Sequence, residues 1–194
     1  GMSTTAVKDG DDWIINGAKN FITNASSGGI AVVITRTGEK GAKNKSPAFV
    51  LEKGMAGFTS GKKENKLGMR ASETAELIFD NVKVPKENLL SNKSGLGAPL
   101  GCLDSARYGI AWGAIGAAMD CYDTALRYAK ERIKFDKPIA GTQLQQKKLA
   151  EMITEITKAQ LLTWRLGVLR NEGRATSAQI SMAKRNNVDM AIHI

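Results

Sequence analysis

Residues 103–152 read LDSARYGIAWGAIGAAMDCYDTALRYAKERIKFDKPIAGTQLQQKKLAEM, two helical patterns either side of a short, strongly marked turn. The spacing predicts a first helix from about Leu100 to Glu131, ending at the cationic run Lys130-Glu131-Arg132. Phe135 follows, Pro138 and Gly141 break the chain, and Thr142 stands where it can cap the next helix. Arg132, Phe135 and Gln143 therefore share a corner between two helices. A guanidinium, an aromatic ring and an amide suit an anionic, ring-bearing ligand such as a nucleotide. They equally suit an ordinary corner in which arginine satisfies the open carbonyls of a helix end. Composition leaves both readings open.

The pattern stays helical outward from this stretch. A second helix is expected over Thr142 to Asn171, with Leu149, Met152, Ile153 and Ile156 on one face and Lys147, Glu151, Glu155 and Lys158 on the other. Gly173 stops it. A third is expected from about Thr176 to Ile194, with Ile180, Ala183 and Val188 on its apolar side. The middle of the first helix is apolar all round and dotted with Gly109, Gly113, Gly116 and Ala117. Such a helix wants neighbours on several sides. Three helices do not supply enough of them, so self-association through the helices is expected.

Upstream the chain changes character. Trp13-Ile14-Ile15-Asn16-Gly17 reads as a strand ending in an Asn-Gly hairpin. Ile30–Thr35 and Ala48–Glu52 are short apolar strands. Glu76–Val84 alternates, with an irregularity near Asn81, and Pro85 ends it. Turn residues recur between these runs, which favours an antiparallel β-sandwich or barrel over βαβ units. The expected fold is thus α+β: a β domain over residues 1–94, then an antiparallel three-helix bundle over 95–194.

Composition narrows the function. Of 194 residues, 42% are hydrophobic and 24% charged, as in an ordinary globular protein with a real core. No apolar run reaches the ~20 residues of a membrane span, and no signal peptide is visible. Gly1-Met2 looks like a tag remnant before a start methionine. Cys102 and Cys121 fall on one expected helix roughly 28 Å apart, too far for a disulfide, which points to free thiols and a reducing compartment. With one histidine, His193, and no cysteine cluster, no metal site can be argued. The net charge of +9 fits a polyanionic small molecule or a solvated basic surface. Many lysines, such as Lys40, Lys43, Lys45, Lys62, Lys63 and Lys66, lie in loops without interleaved aromatics, which argues against nucleic acid.

Several segments together carry a resemblance. Asn16-Gly17-Ala18-Lys19-Asn20-Phe21-Ile22-Thr23-Asn24, Lys66-Leu67-Gly68-Met69-Arg70-Ala71-Ser72-Glu73-Thr74 followed by Phe79–Pro85, and Arg132-x-x-Phe135 with Pro138, Gln143 and Leu149-Ala150-Glu151-Met152 occur in this order. In this the chain resembles the acyl-CoA dehydrogenase family of flavoenzymes. Gly101–Gly113, Gln146–Thr157 and Lys184-Arg185-Asn186-Asn187 are most similar to its glutaryl-CoA branch; a short-chain, non-decarboxylating branch or a non-catalytic oligomerisation module are the alternatives. The resemblance implies a middle β-barrel and a C-terminal helical bundle, a homotetramer, FAD as cofactor, an acyl-CoA substrate and electron-transferring flavoprotein as electron acceptor. It implies α,β-dehydrogenation, with decarboxylation to crotonyl-CoA in the glutaryl branch. The location implied is the cytoplasm if bacterial or the mitochondrial matrix if eukaryotic. Neither nucleic acid nor a membrane is implied as a partner.

Residue by residue, the resemblance puts Phe21, Ile22 and Thr23 at the flavin. Phe21 would lie on the ring, where the family often has tryptophan, and Thr23 would donate a hydrogen bond near N5. Arg132 would pair with the pyrophosphate of a neighbouring subunit's FAD, with Phe135 and Gln143 beside it. Asp104, Arg107 and Tyr108 would face the substrate, although Asp104 and Arg107 also read as a plain i,i+3 ion pair. Arg70 and Ser72 are expected to brace the β domain. Three family features have no counterpart here: the N-terminal helical domain, the Thr-Glu-Pro-type flavin loop, and the Tyr-Glu-Gly segment with the catalytic glutamate. No catalytic residue is therefore assigned, Glu73, Asp104 and Glu151 do not match the base, and the polypeptide alone is expected to be inactive. Asp136 stands where the family prefers glycine, and Lys134 where it often has a small polar residue.

Overall fold

The computed structural model describes residues 3–37, 46–90 and 97–194. Lys40, Lys43, Lys45, Gly1-Met2 and the expected domain boundary at 94/95 lie outside these residues. The chain divides into two compact units, one running to Leu100 and the other starting at Gly101.

The first unit is antiparallel β, as the turn-punctuated pattern requires. Its strands are β1 (Thr5–Asp9), β2 (Asp12–Thr23), β3 (Ile30–Ile34), β4 (Ala48–Glu52), β5 (Phe58–Lys63) and β6 (Thr74–Val84). They form a four-stranded sheet in the order β1-β2-β6-β5 and a two-stranded sheet of β3 and β4. Side chains from both sheets share one core: Ala6 and Ile15, Val33, Phe49 and Leu51, and Leu77, Phe79, Val82 and Val84. Trp13 meets Phe49 edge-on at 5.5 Å and Phe58 stacks on Phe79 at 5.3 Å.

The expected Asn16-Gly17 hairpin does not form. β2 runs straight through these residues, and the tight turn lies earlier, at Gly10-Asp11, where Asp9 pairs with Asp12 and Gly10 has φ +62°. Asn-Gly supplies positive φ, and that freedom is spent inside a strand. Gly17 sits at φ +129°, and a Cβ there would fall 2.8 Å from the Cα of Thr4. Opposite it, β6 carries one extra residue between Val82 and Phe79. Asn81, at φ +50°, absorbs it: its N–H donates to Asn16 Oδ1 at 2.7 Å. The buried positions of β6 accordingly switch from Leu77 and Phe79 to Val82 and Val84. This is the irregularity that the alternation predicts.

The second unit contains most of α1 (Gly97–Glu131), a two-residue-stranded hairpin β7 (Ile133–Lys134) and β8 (Lys137–Pro138), α2 (Gln143–Asn171) and α3 (Ser177–His193). Buried positions recur at helical spacing: Ala111, Ile115 and Ala118 on α1, Ile156, Ala159, Thr163 and Leu166 on α2, and Ile180, Ala183, Asn187 and Met190 on α3. Ile153, expected on the apolar face of α2, points outward, because the buried stripe passes through Ile156 and Ala159 instead. Asn187 is completely buried and ties the helices: its amide donates to Ala111 O at 3.0 Å and to Thr163 Oγ1 at 2.7 Å. Thr176 forms a reciprocal capping box with Gln179. Thr142 does not cap α2 with its side chain; its hydroxyl donates back to Ile139 O at 2.8 Å, a carbonyl of the preceding 3₁₀ turn that also accepts the Thr142 N–H. Within this unit α1 is not surrounded: Ile110, Trp112 and Met119 remain exposed.

Candidate functional site

β2 has a second irregularity. Between Lys19 and Ile22 it holds one residue more than β6. Phe21 takes up the slack in the left-handed region at φ +55° and is 73% exposed. A bulky aromatic in that conformation costs about 1–2 kcal/mol, and nothing in the unit's own packing repays it. Thr23, two residues on, is exposed, pairs with Thr74 through its backbone, and has no side-chain hydrogen bond among the described residues. Ile22 turns the other way and packs against the core. The bulge thus places a free ring and a free hydroxyl on neighbouring positions of one strand end.

The loop after Thr23 is pinned by Glu73. This carboxylate accepts the N–H groups of Ser26 at 2.7 Å and Ser27 at 3.2 Å and pairs with Lys63 at 2.8 Å. Its backbone carbonyl accepts the Asn24 N–H at 3.0 Å, and Lys53 reaches Ser26 O at 2.8 Å. Lys63, then Ser26, hold the Glu73 carboxyl down to about 2. Sequence reading missed this role. A Ser-Ser-Gly-Gly loop advertises N–H donors in need of an acceptor, but nothing in the sequence names an acid 46 residues away. Of the expected bracing pair, Arg70 is exposed, whereas Ser72 O accepts from Lys66 Nζ.

In the second unit, Arg132 and Phe135 sit on the β7–β8 hairpin and Gln143 opens α2. The corner between the helices is a two-residue turn with Phe135 at φ +52° and Asp136 at φ +58°. Two successive left-handed residues define the tight hairpin turn that asparagine and glycine favour. This gives a backbone reason for glycine at position 136. Phe135 is 91% exposed at the tip. The Arg132 carbonyl accepts from Ile139 N–H at 2.9 Å, and its exposed guanidinium has no ion pair or hydrogen bond among the described residues. The reading in which arginine satisfies helix-end carbonyls is therefore not realised.

Asp104, Arg107 and Tyr108 meet near the start of α1. Arg107 pairs with Asp104 at 2.8 Å, and the Ser177 hydroxyl at the head of α3 donates to the other oxygen. Ser177, then Arg107, hold the Asp104 carboxyl below the usual range. Tyr108 packs with Leu166, Ile180 and Ala183, lies under the Arg170 guanidinium at 4.4 Å, and its hydroxyl occupies the space left by Gly167. His193 is exposed, with Nδ1 2.7 Å from Asp189 O. Both cysteines are free and exposed on α1. No cluster able to hold a metal and no helix able to cross a membrane occurs among the described residues.

Fold and exposed groups define a two-part α+β chain, antiparallel sheets followed by three long helices, offering an unsupported aromatic on one unit and a cationic hairpin on the other. The acyl-CoA dehydrogenase middle-domain model matches residues 1–82 and the C-terminal-domain model matches 93–194; the chain belongs to the acyl-CoA dehydrogenase family. It is 41% identical over 184 residues to the mitochondrial short-chain specific acyl-CoA dehydrogenase of Rattus norvegicus, covering 94% of this chain and 44% of that protein. A glutaryl-CoA dehydrogenase from Mycobacterium smegmatis superposes with TM-score 0.91 at 46% identity, over 99% of this chain and 48% of that one. A structure of glutaryl-CoA dehydrogenase from the same organism in complex with FADH2 gives TM-score 0.91 at 42% identity, again over 99% and 48%. The chain spans about half the length of the relatives it matches.

Proposed function

We propose that residues 1–94 and 95–194 act as the middle β-domain and the helical domain of an FAD-dependent acyl-CoA dehydrogenase of the glutaryl-CoA branch. The observation that carries this reading is the strand end at Phe21–Thr23. A strained, exposed aromatic beside an unsatisfied hydroxyl is a poor arrangement for a free surface and a good one for a planar, hydrogen-bonding cofactor. The similarity to the FADH2-bound structure supports the same choice.

Bound flavin supplies the hydride acceptor for oxidation of the acyl chain between Cα and Cβ. The chain's own residues bind and orient. The Phe21 ring covers one patch of the isoalloxazine and excludes water from it. Ile22 contributes backbone only, since its side chain belongs to the core. The Thr23 hydroxyl donates a fixed hydrogen bond toward N5, favouring the negative charge that reduction brings. Arg132, unpaired on its hairpin, offers two parallel N–H donors to a pyrophosphate, a geometry lysine cannot copy, with Phe135 and Gln143 alongside. Asp104 and Arg107 order the start of α1, and Tyr108 holds it against α2 and α3, where the substrate's thioester arm would pass. The acids that do not match the family's base are engaged elsewhere: Glu73 with Lys63, Asp104 with Arg107, Glu151 with Lys147. Residues 1–194 alone are therefore expected not to turn over acyl-CoA.

Reconstitution with FAD tests the reading. Protein that retains flavin absorbance after desalting supports it, and Arg132→Ala should release most of that flavin; losing one charge-assisted bidentate contact costs about 2–3 kcal/mol. Colourless protein that FAD does not stabilise against heat would favour the second reading, a non-catalytic oligomerisation module, for which the exposed apolar helix faces speak. Between glutaryl-CoA and a short-chain substrate, the similarity of helix opening Gly101–Gly113 supports the glutaryl branch, and product analysis for CO2 on the complete enzyme decides it.

A further inference from the structure

The first unit contains a groove of about 470 Å³ between β2 and the edge of β3 that is not paired with β4, walled by Lys19, Ile22, Thr23, Val33, Phe58 and Leu77. That volume lies within the range of about 300–1,000 Å³ typical of small-molecule pockets, and its make-up, apolar walls with a few polar groups, is typical too. Lys19 is the anomaly. It lies directly opposite Leu77 in the β2–β6 pairing, and residues directly opposite share a face. Leu77 is core, so Lys19 points inward, on the side where Trp13 and Ile15 pack. It is half-buried, and no carboxylate or carbonyl accepts from its ammonium among the described residues. Burial alone pulls it below the ordinary lysine range. A cation placed inside an apolar wall without a partner is costly, and an occupant that brings the missing charge removes that cost.

From the inward, unpartnered Lys19 and the apolar walls around it, we infer that this groove binds a small carboxylate with an apolar tail. The choice of carboxylate over phosphate follows from the donor set. A single ammonium balances one negative charge: no arginine lines the groove, and the start of α1 reaches it only through Pro99, which has no N–H to donate, so a phosphate dianion would leave a second charge desolvated. The loop pinned by Glu73 closes one end, since Asn24, Ala25 and Gly28 also line the groove. The groove borders the flavin-facing surface at Thr23, which lines it, but Phe21 does not line it, and the inference does not rest on the flavin reading.

Hexanoate is the probe and hexanol, its uncharged counterpart, the control, each titrated against anilinonaphthalene sulfonate bound to the full chain. Hexanoate is expected to displace the dye roughly tenfold more effectively than hexanol, the scale of one charge-assisted hydrogen bond. Lys19→Met should erase the difference. Amide resonances of Lys19, Ile22 and Thr23 should shift with hexanoate in the unsubstituted chain, which keeps the test decisive if the variant does not fold. Equal displacement by both probes, no effect of Lys19→Met in folded protein, or the absence of those shifts overturns the proposal. So does a dye response that ignores hexanoate and falls as dimers form, which would give the open β3 edge to a second copy of the chain.

Discussion

Glu73 is a single carboxylate facing two consecutive N–H groups and one ammonium. All three favour its charged form, so its folded-state pKa falls to about 2 from an ordinary 4.5. The contribution to stability is then complete above pH 4.5 and is lost as pH falls from there toward about 2. Urea unfolding of the chain and of Glu73→Gln should therefore differ most above pH 4.5 and converge near pH 2. A difference that stayed constant across this window would remove the charge from the explanation. Asp136 makes the opposite case. At φ +58° it strains a turn that glycine would relax, so Asp136→Gly should stabilise the helical unit by about 0.5–1 kcal/mol, read as a higher urea midpoint. Position 136 was legible as a departure from the family, but the cause was not. Only the backbone shows that the preceding Phe135 is left-handed as well, and that a hairpin replaces the simple corner.

Elements were legible where periodicity was strong and illegible where it was weak. β4 and the three helices lie within a few residues of their expected ends. β1 and β5 escaped notice, because Thr5–Asp9 buries only Ala6 and Phe58–Lys63 is mostly polar. The Asn-Gly pair misled because positive φ serves a bulge as well as a turn, and only the long pairing of β2 with β6 decides between them. Asn187 shows the same limit on α3. Sequence puts Val188 on the apolar side, while the amide beside it is the group that reaches the backbone of α1 and the hydroxyl of α2. A fully buried, fully partnered amide at a three-helix junction specifies how the helices register. Asn187→Ala should cost about 1–3 kcal/mol, the loss of two buried hydrogen bonds, while the Thr163 hydroxyl keeps its bond to Ala159 O. Circular dichroism melts measure this; a cost within about 0.5 kcal/mol would mean the unit repacks freely around the site.

At the scale of the molecule, the apolar excess that sequence reads in α1 reappears as surface. Trp112 and Met119 lie seven residues apart and face outward, and Leu161 and Trp164 on α2 are 61% and 62% exposed. Gln160 Nε2 contacts Met119 Sδ at 3.3 Å, so the two stripes adjoin. α1 is about 50 Å long, enough to supply the roughly 800 Å² per partner that a stable interface needs. Large apolar side chains in one band are the signature of a surface meant to be covered, and a second copy of the same band is the simplest cover because a two-fold axis makes it self-complementary. Sedimentation equilibrium should therefore find the chain associated at micromolar concentration. Leu161→Glu with Trp164→Glu should shift it to monomer without loss of helical signal, because neither side chain belongs to the buried stripe of Ile156, Ala159, Thr163 and Leu166. Monomer at every concentration in the unsubstituted chain would assign the band to a different polypeptide, and retained association in the double variant would move the interface to another helix face.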